Sequence, residues 1–357
     1  MAENFLPRIE IDLSKIRRNA EVIAEICHSS GINIAGVTKG VCGDQWIAQA
    51  MLQGGVSQLA DSRISNIRRM KEAGLNTEFM LLRIPRPSRV WEVVKFADIS
   101  LNSEIETLRL LGKAARMQDS EHRVILMVDL GDRREGIPGK KLYRLVEETL
   151  EIRDIRLAGI GTNLACFGGV IPTWDKMKEL AAIAQQVEKE FNITLPLVSG
   201  GNSANICTLM EEGHPEKINH LRIGEGILLG LETVNRRPIP GTFQDAFRIW
   251  AEVIELQPKP SVPSGKVSQD AFGQIPKFED KGIIAHGLVA LGRQDVVPNM
   301  LIPENGRIVI MGASSDHLIV DFTQDNSVKV GDAISFLPGY SSLLQAMTSP
   351  YVEKVYL

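Results

Sequence analysis

A lysine, Lys39, ends a short apolar run within the segment NIAGVTKGVCGD. Withdrawal from water destabilises the charged form of a lysine amine, so its pKa falls and the neutral amine becomes available. A neutral lysine amine is a nucleophile that forms an imine with an aldehyde. The position of Lys39 therefore indicates covalent chemistry between its amine and a carbonyl compound. The alternative is a lysine whose alkyl chain lies along apolar surface while its amine reaches solvent.

Two glycine-rich segments further along the chain have the composition of an anion-binding site. In VSGGNSAN, two glycines and an asparagine precede Ser203, and in LRIGEG, Arg222 is followed by Gly224 and Glu225. Glycines leave backbone N–H groups accessible and a serine hydroxyl adds a donor, so such loops bind phosphate groups. An aldehyde that also carries a phosphate ester would engage both Lys39 and these loops. Pyridoxal 5′-phosphate (PLP) is the compound that we expect.

Eight short apolar runs alternate with segments of helical periodicity and would position these residues. The runs cover residues 34–38, 58–60, 79–82, 97–101, 124–130, 157–162, 195–199 and 221–224. Continuous apolar runs are typical of parallel strands that are buried on both faces, and eight such units predict an α/β fold with a (β/α)8 TIM-type barrel. An open doubly wound sheet is the alternative, but no G-x-G-x-x-G follows the first run. Because the active sites of such barrels lie at the carboxyl ends of the strands, we expect Lys39, Ser203 and Arg222 to converge.

The alternation of apolar runs with helical segments ends at about Arg236. Proline and glycine interrupt the chain at RRPIPGTF, LQPKPSVPSG and GQIPKF, and the runs between them are short and rich in β-branched residues. Such runs predict a C-terminal, mainly β domain. The expected organisation is an N-terminal strand at 8–13 that joins this domain, a barrel at 14–235 and the β domain at 236–357.

Composition excludes several classes of protein. Hydrophobic residues make up 44% and charged residues 24% of the 357 residues, which is typical of a folded globular chain. The 40 Lys and Arg against 44 Asp and Glu give a net charge of −4, with no basic groove for nucleic acid. No apolar stretch approaches the ~20 residues of a bilayer span and the start carries no secretion signal, so we expect a cytoplasmic protein without a membrane partner. The four cysteines lack metal-binding spacing, and we expect no metal.

A series of motifs resembles the alanine racemase family, and more closely its alanine/ornithine racemase branch. The resemblance covers about residues 8–356 and rests on VTKGVCGD, ADSRI, VDLGDRREGI, GIGTNL, SGGNS, LRIGE, DAFG and GASSDHLIVD. It implies a PLP-dependent enzyme that pairs a barrel with a C-terminal β domain. It also implies a head-to-tail homodimer in which the two subunits share their active sites.

The resemblance implies roles for individual residues. Lys39 matches the lysine that holds PLP as an internal Schiff base and serves as one acid–base group. Arg222 matches the arginine that faces the pyridine nitrogen, and a guanidinium, which keeps its proton, would leave that nitrogen unprotonated. Asn163 matches the position beside the ring, where the alanine racemases proper have a histidine. The other matches are Asn202, Ser203, Gly224, Glu225 and Tyr351 at the phosphate, and Arg134, Ser315 and Asp316 near the substrate carboxylate.

The second acid–base group is the largest departure from the family. Racemisation needs proton removal on one face of Cα and delivery on the other. The family supplies a tyrosine from the partner subunit, but the matching stretch here, GKVSQDAFGQ, contains none. We expect Asp270 to be the second acid–base group or to bind the ammonium of a basic substrate. The alternative is that Asp270 is a solvated aspartate in a turn and has no role in the reaction. The weaker alternatives are Ser268, Cys166 and Cys42.

The expected function is racemisation between the L and D forms of ornithine or another basic amino acid, by two-base proton transfer at Cα with Lys39. The alternatives are an alanine or broad-specificity racemase, a basic amino-acid decarboxylase of the same fold, an aldolase without PLP, and a non-enzymatic PLP carrier. Arg222 disfavours the decarboxylase, because such enzymes place a carboxylate opposite the pyridine nitrogen. The large C-terminal domain disfavours the carrier.

Overall fold

A computed structural model describes residues 5–357 of the chain. Its internal contacts divide the chain into two compact units. The first unit is Leu13–Gln244, and the second joins Asp245–Leu357 to the N-terminal residues up to Asp12. The first strand, β1 (Arg8–Ile11), belongs to the second unit. No helix among residues 5–357 is long and apolar enough to cross a lipid bilayer.

The first unit is a closed barrel of eight parallel strands that follow one another around the barrel in chain order. The strands are β2 (Asn33–Val37), β3 (Gln58–Asp61), β4 (Phe79–Leu81), β5 (Ile99–Asn102), β6 (His122–Met127), β7 (Ile155–Gly161), β8 (Leu197–Ser199) and β9 (His220–Ile223). The helices are α1 (Leu13–His28), α2 (Gln45–Gln53), α3 (Ile64–Glu72), α4 (Val90–Phe96), α5 (Ile105–Met117), α6 (Gly139–Leu150), α7 (Trp174–Phe191), α8 (Asn205–Glu211) and α9 (Glu225–Leu229). Each predicted apolar run overlaps one barrel strand, so the predicted (β/α)8 class is confirmed.

Burial on both faces explains why the strands read as continuous apolar runs. Their inward side chains form one buried cluster of Ala35, Val37, Ala60, Met80, Ile99, Leu101, Ile125, Met127 and Ala158. Neighbouring strands also approach closely: a Cβ at Gly159 in β7 would lie 1.9 Å from the Leu197 carbonyl oxygen in β8. Only glycine fits that position. The interior of the barrel is therefore a packed apolar core.

Side chains cap some of the barrel helices and not others. Asp44 caps α2 by accepting the N–H groups of Trp46 and Ile47, both at 3.0 Å, and the Thr173 hydroxyl accepts the Lys176 N–H of α7. Helix α3 begins at Ile64 with no side chain capping it.

The second unit is a mainly antiparallel sheet with one α-helix. Its strands are β1, β10 (Phe247–Pro260), β11 (Ile283–Val289), β12 (Leu301–Pro303), β13 (Val309–Ala313), β14 (Leu318–Asp321), β15 (Ala333–Pro338) and β16 (Glu353–Tyr356). The sheet order is β12-β15-β10-β11-β14-β13, and β1 pairs antiparallel with β10 and parallel with β16. This agrees with the predicted C-terminal β architecture.

The helix of this unit, α10 (Tyr340–Thr348), is an element that the sequence pattern did not predict. The segment is short and contains several residues of modest helix propensity, so its intrinsic tendency to form a helix is weak. Tertiary contacts supply the stability: Leu343 and Ala346 are fully buried, and the Ser342 hydroxyl donates to the Val297 carbonyl at 2.8 Å.

Candidate active site

Lys39 begins a short 3₁₀ turn that follows the carboxyl end of β2 after one residue, Thr38, and it is half-buried. Burial lowers the pKa of its amine, and the nearby Arg134 guanidinium lowers it further. The charges of Cys166, Asp61 and Glu135 act in the opposite direction without reversing the shift. Lys39 therefore reaches its neutral, nucleophilic form at a lower pH than an exposed lysine.

Asp61 anchors the turn that carries Lys39. Its side chain is fully buried at the end of β3, where it accepts the Thr38 hydroxyl at 2.8 Å, the Arg63 N–H at 2.8 Å and the Asn66 amide at 3.0 Å. Burial raises the pKa of Asp61, although these hydrogen bonds oppose the shift. Sequence reasoning assigned Asp61 no role, yet the signal was present, because Asp61 follows an apolar run directly.

Arg222 lies in β9 and is almost completely buried. One Nη donates to the Thr162 carbonyl at 2.7 Å and the other contacts the Ser199 hydroxyl, whose oxygen lies 2.7 Å from Nδ1 of His220. Burial lowers the pKa of Arg222 to about 10, which leaves the guanidinium protonated at neutral pH. Burial, with the charge of Arg222, lowers the pKa of His220 to about 3, so this imidazole is neutral.

Ser203 and the surrounding glycines form a cradle between β8 and β9. The buried Ser203 Oγ accepts the N–H groups of Gly224 at 3.3 Å and Gly226 at 3.1 Å. Gly201 has a φ of +146°, and a Cβ there would lie 2.2 Å from Oδ1 of Asn205, so only glycine is compatible with this turn. The arrangement gathers a hydroxyl and backbone N–H groups without side-chain obstruction, which suits a phosphate.

Two asparagines connect this cradle to the loop after β7. Asn202 Nδ2 donates to Asn163 Oδ1 at 3.1 Å and to the Leu164 carbonyl at 2.8 Å. Asn163 Nδ2 is buried and has no hydrogen-bond acceptor among residues 5–357. An unpaired buried donor is costly, so Asn163 offers a hydrogen bond to a ligand. Glu225 was expected to bind the phosphate through its backbone N–H. Its carboxylate pairs with Arg236.

Asp132 holds the loop after β7 in place. It is 1% exposed and accepts N–H groups from Cys166, Phe167, Gly168 and Val170, at 3.2, 2.9, 3.1 and 3.4 Å. Burial acts to raise the pKa of Asp132, but the four hydrogen bonds outweigh burial and lower it. The sequence analysis assigned Asp132 no role, because nothing local indicates that it binds a loop more than 30 residues later in the chain.

Arg134 belongs to the same loop as Asp132. Its guanidinium contacts both carboxylate oxygens of Glu135 and the Cys166 sulfur. These partners raise the pKa of Arg134, and its charge acts on both Lys39 and Arg222. The three basic residues thus lie in one electrostatic cluster at the barrel mouth. A substrate carboxylate at Arg134 would compete with Glu135 for the guanidinium.

Asp270 belongs to the second unit, in the loop between β10 and β11. Its Oδ1 accepts the N–H groups of Phe272 at 2.9 Å and Gln274 at 2.8 Å, and its own N–H donates to the Gln274 carbonyl. Within the second unit Asp270 therefore orders its own loop. Its role as an acid–base group stays a prediction.

The other predicted residues of the second unit lie on exposed turns. Ser315 and Asp316 connect β13 to β14, and Asp316 Oδ1 lies 2.9 Å from Nδ1 of His317. Tyr351 precedes β16 and is 67% exposed. Across residues 5–357, no three His, Cys, Asp or Glu side chains are grouped so that they could hold a metal ion.

Comparisons with known proteins agree with this geometry. The family described as "Alanine racemase, N-terminal domain" matches residues 11–231. An ornithine racemase of Acetoanaerobium sticklandii is 45% identical over 98% of this chain and 99% of its own length, and a lysine racemase of Thermotoga maritima is 43% identical over 98% of each chain. In fold, the chain resembles the crystal structure of alanine racemase from Streptomyces lavendulae, with a TM-score of 0.73 and 18% identity over 99% of this chain and 98% of that one.

Proposed function

The chain belongs to the alanine racemase family, and we propose that it is a PLP-dependent racemase of basic amino acids, with ornithine as the first substrate and lysine as the second. The observation that carries the proposal is the cluster at the barrel mouth, where a lysine of lowered pKa, a buried arginine and a glycine-rich cradle of hydroxyl and N–H groups occur together. The choice of substrate is supported by the identity to an ornithine racemase and a lysine racemase.

The residues present fit PLP group by group. Lys39 would bind the aldehyde carbon covalently, and Ser203 with the N–H groups of Gly224 and Glu225 would bind the phosphate. The unpaired Nδ2 of Asn163 is a donor for the ring substituents. Arg222 would face the pyridine nitrogen, and its two contacts to Thr162 and Ser199 leave further N–H groups of the guanidinium for that nitrogen.

In the proposed reaction, protein residues remove a proton from one face of Cα and deliver a proton to the other. PLP, when bound, delocalises the electron pair that remains at Cα after proton removal. Lys39 removes or returns a proton on one face, and its lowered pKa brings it closer to the range in which an amine serves as both acid and base. Arg222 stays protonated at neutral pH, so it would hydrogen-bond to the ring nitrogen and leave that nitrogen without a proton. The electron pair at Cα would then be short-lived, and reprotonation would outrun side reactions.

A second copy of the chain completes the proposed site. We place Asp270 on the opposite face of Cα from Lys39, supplied by the C-terminal domain of a head-to-tail homodimer, with Ser315 and Asp316 near the substrate carboxylate and Tyr351 at the phosphate. The support is the family resemblance of the motifs DAFG and GASSDHLIVD. We place the reaction in the cytoplasm.

Proton exchange tests the function directly. The PLP-loaded protein is incubated in D2O with each L-amino acid, and Cα deuteration and formation of the D enantiomer are followed by NMR and chiral chromatography. Ornithine and lysine are expected to exchange and invert. Exchange with alanine but not with ornithine or lysine would overturn the substrate proposal, and release of CO2 would point to a decarboxylase.

The second acid–base group is tested with Asp270→Asn. An asparagine retains the Oδ1 that accepts the two loop N–H groups, so the loop is expected to keep its conformation. If Asp270 moves a proton, kcat for ornithine falls on the order of 10²–10⁴-fold. One enantiomer should then still exchange its Cα proton in D2O without inversion, because Lys39 continues to act on its own face.

Cys166→Ala is the matched comparison, because Cys166 is the alternative that lies in the barrel beside Arg134. A rate within a few-fold of the unmodified enzyme is expected for Cys166→Ala. If Asp270→Asn raises KM for ornithine and leaves kcat unchanged, Asp270 binds the substrate ammonium instead. Unchanged kinetics in Asp270→Asn together with a large loss in Cys166→Ala would transfer the acid–base role to the cysteine.

A further inference from the structure

Five arginines line a cavity of about 370 Å³ at the carboxyl ends of β3 and β4; four of them precede α3 or α4, and one lies within α3. They are Arg63, Arg68, Arg83, Arg86 and Arg89. The hydroxyl residues Ser62 and Ser65 also line this arginine cavity, whereas Glu92 is its only acidic lining residue. The cavity belongs entirely to the barrel unit and contains none of the residues assigned to PLP.

Carboxylates of the chain balance only part of the positive charge in the arginine cavity. Arg89 pairs with Glu92, and Arg68 lies 3.7 Å from Glu72. No carboxylate among residues 5–357 forms a salt bridge with Arg63, Arg83 or Arg86. Burial lowers the pKa of Arg83, and the charges of Arg63 and Arg86 lower it further, whereas the charge of Asp61 opposes the shift without reversing it. The three guanidinium groups are therefore close enough to repel one another, and a bound anion would relieve that repulsion.

Backbone donors point to the same kind of ligand. Helix α3 spans nine residues and begins beside the cavity with no capping side chain and no acidic residue in its first turn. Asp61 accepts the Arg63 N–H, but among residues 5–357 no acceptor is found for the N–H groups of Ile64 and Ser65. Free N–H groups at a helix start, serine hydroxyls and guanidinium groups are the donors that bind oxoanions.

We propose that the arginine cavity binds a small oxoanion with two or more negative charges, either a phosphate ester or a dicarboxylate. A basic amino acid is excluded, because its cationic side chain would be repelled by the three unpaired arginines. The site is therefore separate from that of the proposed substrate, and the inference stands whether or not ornithine is racemised.

The arginine cavity is connected to the turn that carries Lys39. Asp61 accepts the Arg63 N–H on the cavity side with Oδ1 and the Thr38 hydroxyl with Oδ2, and Thr38 immediately precedes Lys39. A bound anion that orders Arg63 would thus also restrain Asp61 and Thr38. We expect the anion to stabilise the barrel mouth.

Anion binding is measured on the PLP-loaded protein, so that the Ser203 cradle does not compete for phosphate. Inorganic phosphate and malonate are titrated separately by calorimetry, and thermal unfolding is followed with each anion against KCl at matched ionic strength. Saturable binding and a rise in Tm beyond that in KCl are expected, because a ligand that binds only the folded state stabilises it. If only phosphate binds, the ligand of the cavity is a phosphate ester. If only malonate binds, the ligand is a dicarboxylate.

Arg83→Gln with Arg86→Gln is expected to raise the Kd at least tenfold. The matched control is Arg153→Gln with Arg156→Gln, which removes the same charge from exposed positions at the amino end of β7 and should leave the Kd unchanged. The proposal is overturned if neither anion binds beyond the KCl control, or if both double variants weaken binding equally. It is also overturned if Arg83→Gln with Arg86→Gln alters only the oligomeric state, since the cavity would then receive an acidic segment of another chain.

Discussion

Lys39→Ala is expected to lower racemisation of ornithine by at least about 10⁴-fold, the upper end of what one acid–base group contributes. The expected loss is this large because the substitution removes two functions at once. The amine is the only proposed covalent attachment for PLP, and it is also the proton carrier on one face of Cα. Chiral chromatography of L-ornithine incubations measures the rate, and the long-wavelength absorbance of a lysine–PLP bond measures the attachment.

Lys176→Ala is a suitable control for the lysine experiment. Lys176 lies at the start of α7 and pairs with Glu179 at 3.1 Å, a surface ion pair of little energetic value. Its removal should change neither rate nor absorbance. A Lys39→Ala protein that keeps both the absorbance band and the rate would show that another residue binds PLP, and the proposed site would be wrong.

Arg222→Glu is expected to reduce racemisation by about 10²–10³-fold, the effect of losing one preorganised charged donor. The substitution should also change the ratio of the products. A carboxylate facing the ring nitrogen favours its protonation, so the electron pair at Cα persists longer and side reactions gain time. We therefore expect more 2-oxo acid per racemisation event, measured by a dehydrogenase assay of the same incubations that report the D enantiomer.

Arg222→Lys separates charge from hydrogen-bonding geometry. A lysine keeps the cation but loses the fork that reaches both Thr162 and Ser199, so the rate should fall while the 2-oxo acid ratio stays that of the unmodified enzyme. Thermal unfolding of both variants is required, because the Thr162 carbonyl loses its donor in Arg222→Glu, at a cost of about 1–3 kcal/mol. A folded Arg222→Glu protein with an unchanged ratio would refute the role of Arg222 at the ring nitrogen.

Much of the candidate site could be predicted because of one property of the fold. In a parallel barrel all strands end at the same mouth, so a residue that ends an apolar run is a site candidate whatever its distance along the chain. Lys39 was found in this way, and Ser203 and Arg222 were found in the glycine-rich segments at the ends of the last two runs. The same rule would have found Asp61, which follows the second apolar run and binds the turn before Lys39.

Other features of the structure could not be predicted from the residue pattern of a single segment. Asp132 binds backbone N–H groups of a loop more than 30 residues later, and a backbone N–H carries no sequence signature. The cavity formed around Arg83 and Arg86 was also invisible, because its arginines come from two separate loops that read as ordinary solvated charge. Helix α10 was missed because Ser342 and its neighbours gain their stability from tertiary contacts.

The sequence by itself determined the α/β barrel class, the C-terminal β architecture and the family, because burial on both strand faces imposes continuous apolar runs and short motifs keep their order. Only the tertiary structure decided how the charges are partnered. It paired Arg134 with Glu135 and Cys166, left the donor of Asn163 unpaired, and brought unpaired arginines together around one cavity. Such partnerships depend on which loops meet in space, and the energy of a charge is set by the groups around it rather than by its neighbours along the chain.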